Sequence, residues 1–322
     1  MTAIESWYWQ PVEAIDYPFA RRIHRDTSWL EEEIVAWCRR HHLIRHHAQE
    51  QQIRAALLAE FVSRANADVA PAMLRLIGFW TVWFFLADDV ADTSPSADAL
   101  ATFHLRVLAV VAGCPASEHD NPLIHAAADL GAELRRHAGP VTLVRFQRAL
   151  AQTLEAHSWE VSNQAADWQP DSATYNVMRL WSGAFLPMIA LIDAARGFVL
   201  PPHLFEHALV QELIHEANRT VLWYNDFWSY PKEAAANCAR HNIVHIVAQE
   251  QRVPINQALR LAIAQHDRSL QHFLRLKAQI AHFGNDAAQV RRFVEGIEAW
   301  LRATQDWSHR TARYRAMLAV NA

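Results

Sequence analysis

The run Phe84-Phe85-Leu86-Ala87-Asp88-Asp89-Val90-Ala91-Asp92 closes an apolar stretch with three carboxylates. On a helix Asp88 and Asp92 stand four residues apart, on one face and about one turn from each other, close enough to share hard cations. Carboxylates set against apolar residues are stable only with positive charge beside them. The plain alternative is a helix end reaching solvent, where aspartates before Thr93-Ser94-Pro95 need no ligand. A second run, Asn225-Asp226-Phe227-Trp228-Ser229-Tyr230-Pro231-Lys232-Glu233, spaces Asn225, Ser229 and Glu233 at i, i+4 and i+8. An amide oxygen, a hydroxyl and a carboxylate then line one stripe about 12 Å long. All three offer oxygen, the donor that suits Mg²⁺. A solvated amphipathic face can carry the same spacing, yet Trp223, Tyr224, Phe227, Trp228 and Tyr230 surround it. Pro231 removes one helical hydrogen bond and can bend the helix just before Glu233.

Lys232 and Lys277 are the only two lysines. An ammonium beside oxygen ligands can bind phosphate as a point charge, whereas its ordinary role is a surface salt bridge. Lys232 sits inside the second motif; Lys277 has no comparable context.

The elements that must position these groups read as helices. Asp26-Thr27-Ser28 can cap a helix with Glu31, Glu32 and Glu33 near its positive end and Trp29, Ile34, Trp37 and Cys38 as an inner stripe. Further helices are predicted over 48–65, 70–92, 97–112, 121–138, 140–160, 172–196, 203–230, 239–250, 254–282 and 285–318. Turn clusters separate them at Ser94-Pro95-Ser96, Gly113-Cys114-Pro115, Gly139-Pro140, Trp168 to Asp171, Pro201-Pro202 and Phe283-Gly284-Asn285. No strand alternation and no repeat is evident. Leu74 to Ala87 and Trp181 to Ala194 are apolar around most of their circumference, as helices inside a bundle are. With nothing resembling a flexible linker, the expectation is an all-α bundle forming one domain over residues 1–322.

Composition agrees. Of 322 residues, 52% are hydrophobic, enough for a sizeable core, and only 8 are glycine, against an average usage near 7%. That shortage disfavours Rossmann and P-loop folds, whose backbone can wrap a phosphate only where no Cβ intervenes. A net charge of −4 exerts no general pull toward nucleic acid or an anionic membrane. Cys38, Cys114 and Cys238 form no paired pattern and suit a reducing compartment. Met1 to Gln10 lacks the basic-then-apolar order of a secretory leader. The apolar run Ile77 to Ala87 falls well short of the roughly 20 residues that span a bilayer. A cytoplasmic protein without membrane insertion is expected.

Taken together, the two motifs resemble those of a class I terpene synthase of the microbial single-domain type. That family carries an aspartate-rich motif, here Asp88, Asp89 and Asp92, followed far along the chain by N-D-x-x-S-x-x-x-E, here Asn225 to Glu233. Its pyrophosphate-sensing arginine, at a fixed distance before the asparagine, matches Arg179. Its linker and effector positions on a broken helix match Ser182 and Gly183. Its carboxy-terminal Arg-Tyr pair, preceded by W-S-x-x-T-x, matches Arg313 and Tyr314 within Trp307-Ser308-His309-Arg310-Thr311-Ala312-Arg313-Tyr314. The resemblance covers essentially the whole chain.

What it implies is a central cavity in which an isoprenoid diphosphate, most commonly farnesyl diphosphate, ionises and cyclises to a sesquiterpene. Three Mg²⁺ ions are implied, with Mn²⁺ as a substitute: two through Asp88, with Asp92 at longer range and Asp89 in the motif, and one through Asn225, Ser229 and Glu233. Arg179, Lys232, Arg313 and Tyr314 would bind the diphosphate. Phe84, Phe85 and Trp307 are candidates for the aromatic lining that stabilises a cation without trapping it. A homodimer is common in the family. Two rivals stand beside this reading: a diterpene synthase acting on geranylgeranyl diphosphate, and a non-catalytic helical protein binding metal or nucleic acid through Arg39-Arg40-His41-His42-Leu43-Ile44-Arg45-His46-His47. In that segment His42 and His46 have i, i+4 spacing for a transition metal, against the simpler reading of a solvated helix end.

Overall fold

The structure, a computed structural model, describes residues 6–92 and 96–315, with the side chains of Ser6, Asp92 and Arg315 outside that description. The described residues form helices and no strand. In chain order these are α1 (Ser6–Glu13), α2 (Thr27–Arg40), α3 (His47–Ala55), α4 (Leu58–Ala65), α5 (Pro71–Asp92), α6 (Ala97–Ala112), α7 (Pro122–His137), α8 (Pro140–Ala165), α9 (Ser172–Ser182), α10 (Phe185–Ala190) and α11 (Ile192–Ala195). The remainder are α12 (Pro202–Phe205), α13 (Ala208–Ala235), α14 (Ile243–Gln251), α15 (Ile255–Lys277), α16 (Ala287–Ser308) and α17 (Ala312–Arg315).

Local chemistry starts most of them. The side chains of Ser96, Asn121 and Asp171 accept from Ala99 N at 3.1 Å, Ile124 N at 3.0 Å and Thr174 N at 2.7 Å, capping α6, α7 and α9. Pro122 and Pro140 then occupy first helical positions, where the missing N–H costs nothing. α5 and α13 are the inner helices. α5 packs among α2, α4, α7 and α8, and α13 among α9, α14, α15 and α16. One continuous cluster of buried apolar residues runs from Tyr8 to Tyr314 and includes Trp37, Trp80, Trp83, Trp228 and Trp300. No helix among the described residues is long and apolar enough to cross a membrane.

Several helices expected as single pieces are divided. The span 48–65 breaks at Leu57, which takes a left-handed φ of 52° between α3 and α4. The span 172–196 becomes α9, α10 and α11, with Ala184 at φ 54°. The span 203–230 opens as the short α12, and His207 caps α13, which continues through Pro231 to Ala235. The expected bend at Pro231 therefore does not end the helix. A 3-10 turn at Ala239–His241 precedes α14, and another 3-10 stretch, Ala278–Asp286, separates α15 from α16. Helix α1 carried no sequence signal. In α2 the inner stripe is Leu30, Ile34, Val35, Trp37 and Cys38, and Trp29 is exposed, one helical position away from it. His42, with φ 56°, lies in the turn after α2, and His46 is the N-cap of α3, so the pair shares no helix face and the i, i+4 metal geometry is absent.

Candidate active site

The second motif lies on the C-terminal half of α13, and its centre is the residue that the spacing argument passed over. Asp226 is 1% exposed. Its Oδ1 accepts from Arg179 Nη2 at 2.6 Å, and its Oδ2 accepts from Ile243 N at 2.9 Å and from the Tyr175 hydroxyl. The same Arg179 nitrogen donates to Asn225 Oδ1 at 3.1 Å, and Nη1 donates to Ser182 Oγ at 3.2 Å. Burial raises the Asp226 carboxyl above its ordinary range, and the Arg179 charge opposes that. Burial also disfavours the charge on Arg179, but Asp226 reverses the balance and holds its pKa up.

Ser229 is buried on the same stripe, and Glu233 is partly exposed two residues before α13 ends. Burial, then the neighbouring Asp226, push the Glu233 carboxyl up to about 7. Its Oε2 accepts from Asn242 Nδ2 at 2.9 Å. Lys232 is exposed and forms no ion pair among the described residues, whereas Lys277 pairs with Glu298.

The first motif ends α5. Asp88 and Asp89 are about half exposed, and Arg313 Nη2 lies 3.4 Å from each. Asp92 closes the helix, and its side chain is outside the described set. The Arg313 guanidinium also sits 4.7 Å over the Phe85 ring, a cation–π contact. The adjacent Tyr314 turns the other way, its hydroxyl accepting from Asn225 Nδ2 at 2.6 Å. Two neighbouring residues thus join the two acidic motifs.

The aromatic candidates divide. Phe85 and Tyr314 approach Trp307 at centroid distances of 5.7 and 5.6 Å, and Trp307 stacks on Phe61 at 4.9 Å. Phe84 packs instead with Trp80 and Trp83 at 5.7 and 5.4 Å. The carboxy-terminal segment is fixed by the break between α3 and α4: Ala56 O accepts from Trp307 Nε1 at 2.6 Å and from Thr311 Oγ1 at 3.0 Å.

The third element is the break after α9. Ser182 is the last residue of that helix, and its carbonyl is bonded to His157 Nε2 at 2.7 Å. A Cβ on Gly183 would lie 1.9 Å from Leu222 Cδ2. A side chain at position 183 would therefore have to displace the end of Leu222, which packs against the break from α13.

Comparison with known proteins supplies the family. Residues 80–272 match the family described as "Terpene synthase family 2, C-terminal metal binding". Over 308 residues the chain is 31% identical to a (+)-T-muurolol synthase of Roseiflexus castenholzii described as cyclising (2E,6E)-farnesyl diphosphate, covering 92% of each chain. The chain belongs to the terpene synthase family. A 10-epi-cubebol synthase of Sorangium cellulosum is 26% identical over 90% of this synthase and 94% of its own length. Among solved structures, an α-eudesmol synthase superposes with a TM-score of 0.84 at 21% identity, over 92% of this chain and 98% of that one. A linalool/nerolidol synthase from Streptomyces clavuligerus gives 0.81 at 19% identity, over 91% and 99%. The synthase is a class I lyase with the all-α fold of these enzymes.

The donor set of the synthase fits a divalent cation with an anion. Asp88, Asp89, Asn225, Ser229 and Glu233 offer hard oxygen, and the buried Arg179 Nε has no hydrogen-bond partner among the described residues, a donor left for an acceptor such as an anion oxygen. Elsewhere, ligand atoms of Glu212, Glu216 and His272 lie within 4.8 Å of one another. There the Glu216 oxygens are already engaged by Arg219 and by Ser269 at 2.5 Å. The residues that sequence reasoning missed are Tyr175, Asp226, His157 and Asn242. Asp226 was visible as part of the motif, and nothing in the spacing said that it serves an arginine.

Proposed function

We propose that the synthase ionises a linear isoprenoid diphosphate, farnesyl diphosphate, and cyclises it to a sesquiterpene with release of pyrophosphate. The observation that carries this reading is the Arg313-Tyr314 pair, which contacts Asp88 and Asp89 with one residue and Asn225 with the next. It forms a cationic and hydroxylic bridge between two sets of oxygen donors, the arrangement needed to hold a diphosphate between cations. The chain length of the substrate follows the relative named for farnesyl diphosphate, similar along nearly the whole chain.

Asp88, with Asp89 and Asp92, and the set Asn225, Ser229 and Glu233 would hold three Mg²⁺ ions, for which Mn²⁺ can substitute. Bound there, the ions supply Lewis acidity that neutralises charge building on the departing phosphate oxygens. In the structure the cationic groups rest against the acidic ones, Arg313 on Asp88 and Asp89, and Arg179 on Asp226. On substrate binding, Arg313 exchanges its carboxylates for phosphate oxygens. Arg179 turns its unpartnered Nε toward the anion while Asp226 keeps the guanidinium in place. Tyr314 adds a hydroxyl donor, and the exposed Lys232 supplies a mobile point charge at the rim. The allylic C–O bond then breaks with both electrons leaving on oxygen. Phe85 and Trp307 present ring faces to the cation, and closure by the segment after α16 excludes the water that would quench it. The cation ends by losing a proton or by capturing water. One continuous core also supports reading the chain as a single domain.

The test is incubation of the purified protein with geranyl, farnesyl and geranylgeranyl diphosphate and Mg²⁺, with products separated by gas chromatography and identified by mass spectrometry. A C15 hydrocarbon or alcohol from farnesyl diphosphate, abolished by EDTA, is expected. A C20 product alone assigns the longer substrate. Folded protein that yields no product from any of the three overturns the reading.

A further inference from the structure

Asn242 is completely buried and stands at the N-cap of α14, immediately after the 3-10 turn. Its Oδ1 accepts from Val244 N at 3.0 Å, the ordinary work of a cap. Its Nδ2 does something a cap does not require. It donates to the Asp226 carbonyl oxygen and to Glu233 Oε2, each at 2.9 Å. The next residue, Ile243, donates its backbone N–H to Asp226 Oδ2, also at 2.9 Å. The start of α14 therefore grips the end of α13 at both of its carboxylates.

The grip matters most for Glu233. Asp226 is fixed by Arg179 and Tyr175 as well, but Glu233 stands on a three-torsion side chain near the end of α13 and past Pro231, where one helical hydrogen bond is missing. Among the described residues, apart from Ser229, four residues earlier on its own helix, Asn242 is the neighbour that bonds its carboxylate. We propose that Asn242 is a positioning residue: its Nδ2 fixes one oxygen of Glu233 so that the other is aimed at a divalent cation. The proposal rests on the reading of Glu233 as a cation ligand. Partners of this kind, which orient a ligand without touching the metal, typically change metal affinity by 10–100-fold when removed.

Capping and positioning are separable. In Asn242→Ser the short hydroxyl still caps α14 and cannot reach Glu233; in Asn242→Ala the cap bond and the two bonds from Nδ2 are all lost. Calorimetric titration of inorganic pyrophosphate at a series of Mg²⁺ concentrations reads metal affinity without turnover, and melting without metal reads the cap. Positioning requires both variants to raise the Mg²⁺ concentration for half-saturation by about tenfold or more, with serine restoring the metal-free melting temperature but not the Mg²⁺ requirement. Should Asn242→Ser bind Mg²⁺ and pyrophosphate as the parent does, Asn242 is a cap and the proposal is wrong. Glu233→Gln serves as the control. If it too leaves the Mg²⁺ requirement unchanged, the ligand reading falls and the proposal with it. If Glu233→Gln raises the requirement and Asn242→Ser does not, the proposal alone falls.

Discussion

Arg179 and Asp226 form the most buried ion pair of the site, and the two partners answer differently to loss of the other. A guanidinium cannot shed its proton, so Asp226→Ala leaves a charge stranded in the interior, a change worth about 3–5 kcal/mol. A carboxyl can take up a proton, and burial already favours the neutral form of Asp226, which keeps bonds to Tyr175 and Ile243 N. Denaturant unfolding of Asp226→Ala and Arg179→Ala is therefore expected to show the larger loss for Asp226→Ala, with turnover reduced at least a hundredfold in both. Equal losses would mean that Arg179 reaches solvent once released. This pair also marks where sequence stops being informative. Asn225, Ser229 and Glu233 were legible because helical spacing places them on one stripe. The role of Asp226 depends on Tyr175 and Ile243, brought to it from other helices, and no spacing rule within one helix reports such a meeting. Lys232 is legible from its place in the motif alone: its side chain is exposed and, among the described residues, joins no ion pair that would point to what it binds.

Helix identity was legible wherever apolar periodicity is long, so α5, α6, α7 and α8 lie close to their expected spans. Helix breaks were not legible in the periodicity, because tertiary contact makes them; the one at Ser182 and Gly183 was expected only from the family resemblance. The span 172–196 reads as one helix locally, and it is interrupted where Gly183 meets Leu222 of α13. Adding a methyl group there overpacks the contact. Gly183→Ala is expected to destabilise the fold by about 1–3 kcal/mol and to lower turnover further, since the break sets Ser182 against Arg179. Shortening the opposing side chain should relieve it. In Gly183→Ala/Leu222→Ala the unfolding loss should be smaller than the sum of the two single losses, by an interaction of about 0.5–3 kcal/mol. Strict additivity would show that the two positions do not press on each other and that the break has another cause. The division at Leu57 follows the same logic: its left-handed turn sets Ala56 O beneath Trp307 and Thr311.

At the scale of the molecule, the first and second motifs come from α5 and α13, and the bridge between them from the short segment after α16. Here the guanidinium groups are engaged by carboxylates, Arg313 by Asp88 and Asp89 and Arg179 by Asp226. A metal ion arriving alone must compete with guanidinium groups for carboxylates, and pyrophosphate arriving alone must compete with carboxylates for guanidinium groups. When both arrive, each displaced group finds a new partner, so each ligand raises the affinity for the other by the same factor. The segment carrying Arg313 and Tyr314 is tied through Trp307 and Thr311 to Ala56, so the exchange at the bridge also loads the contact between α4 and α16. Ligands that bind only the folded state stabilise it by about 2.7 kcal/mol at a hundredfold excess over Kd, which for a chain of this size raises Tm by on the order of 5 °C. Mg²⁺ alone and pyrophosphate alone are expected to move Tm far less than that, and the two together by more than the sum of their separate shifts. In Arg313→Ala the excess should shrink, because the bridge between the motifs is gone while Asp88, Asp89 and the second motif remain. Shifts that simply add in the parent protein would show that the two motifs bind their ligands independently, and the bridging role of Arg313 would be lost with that result.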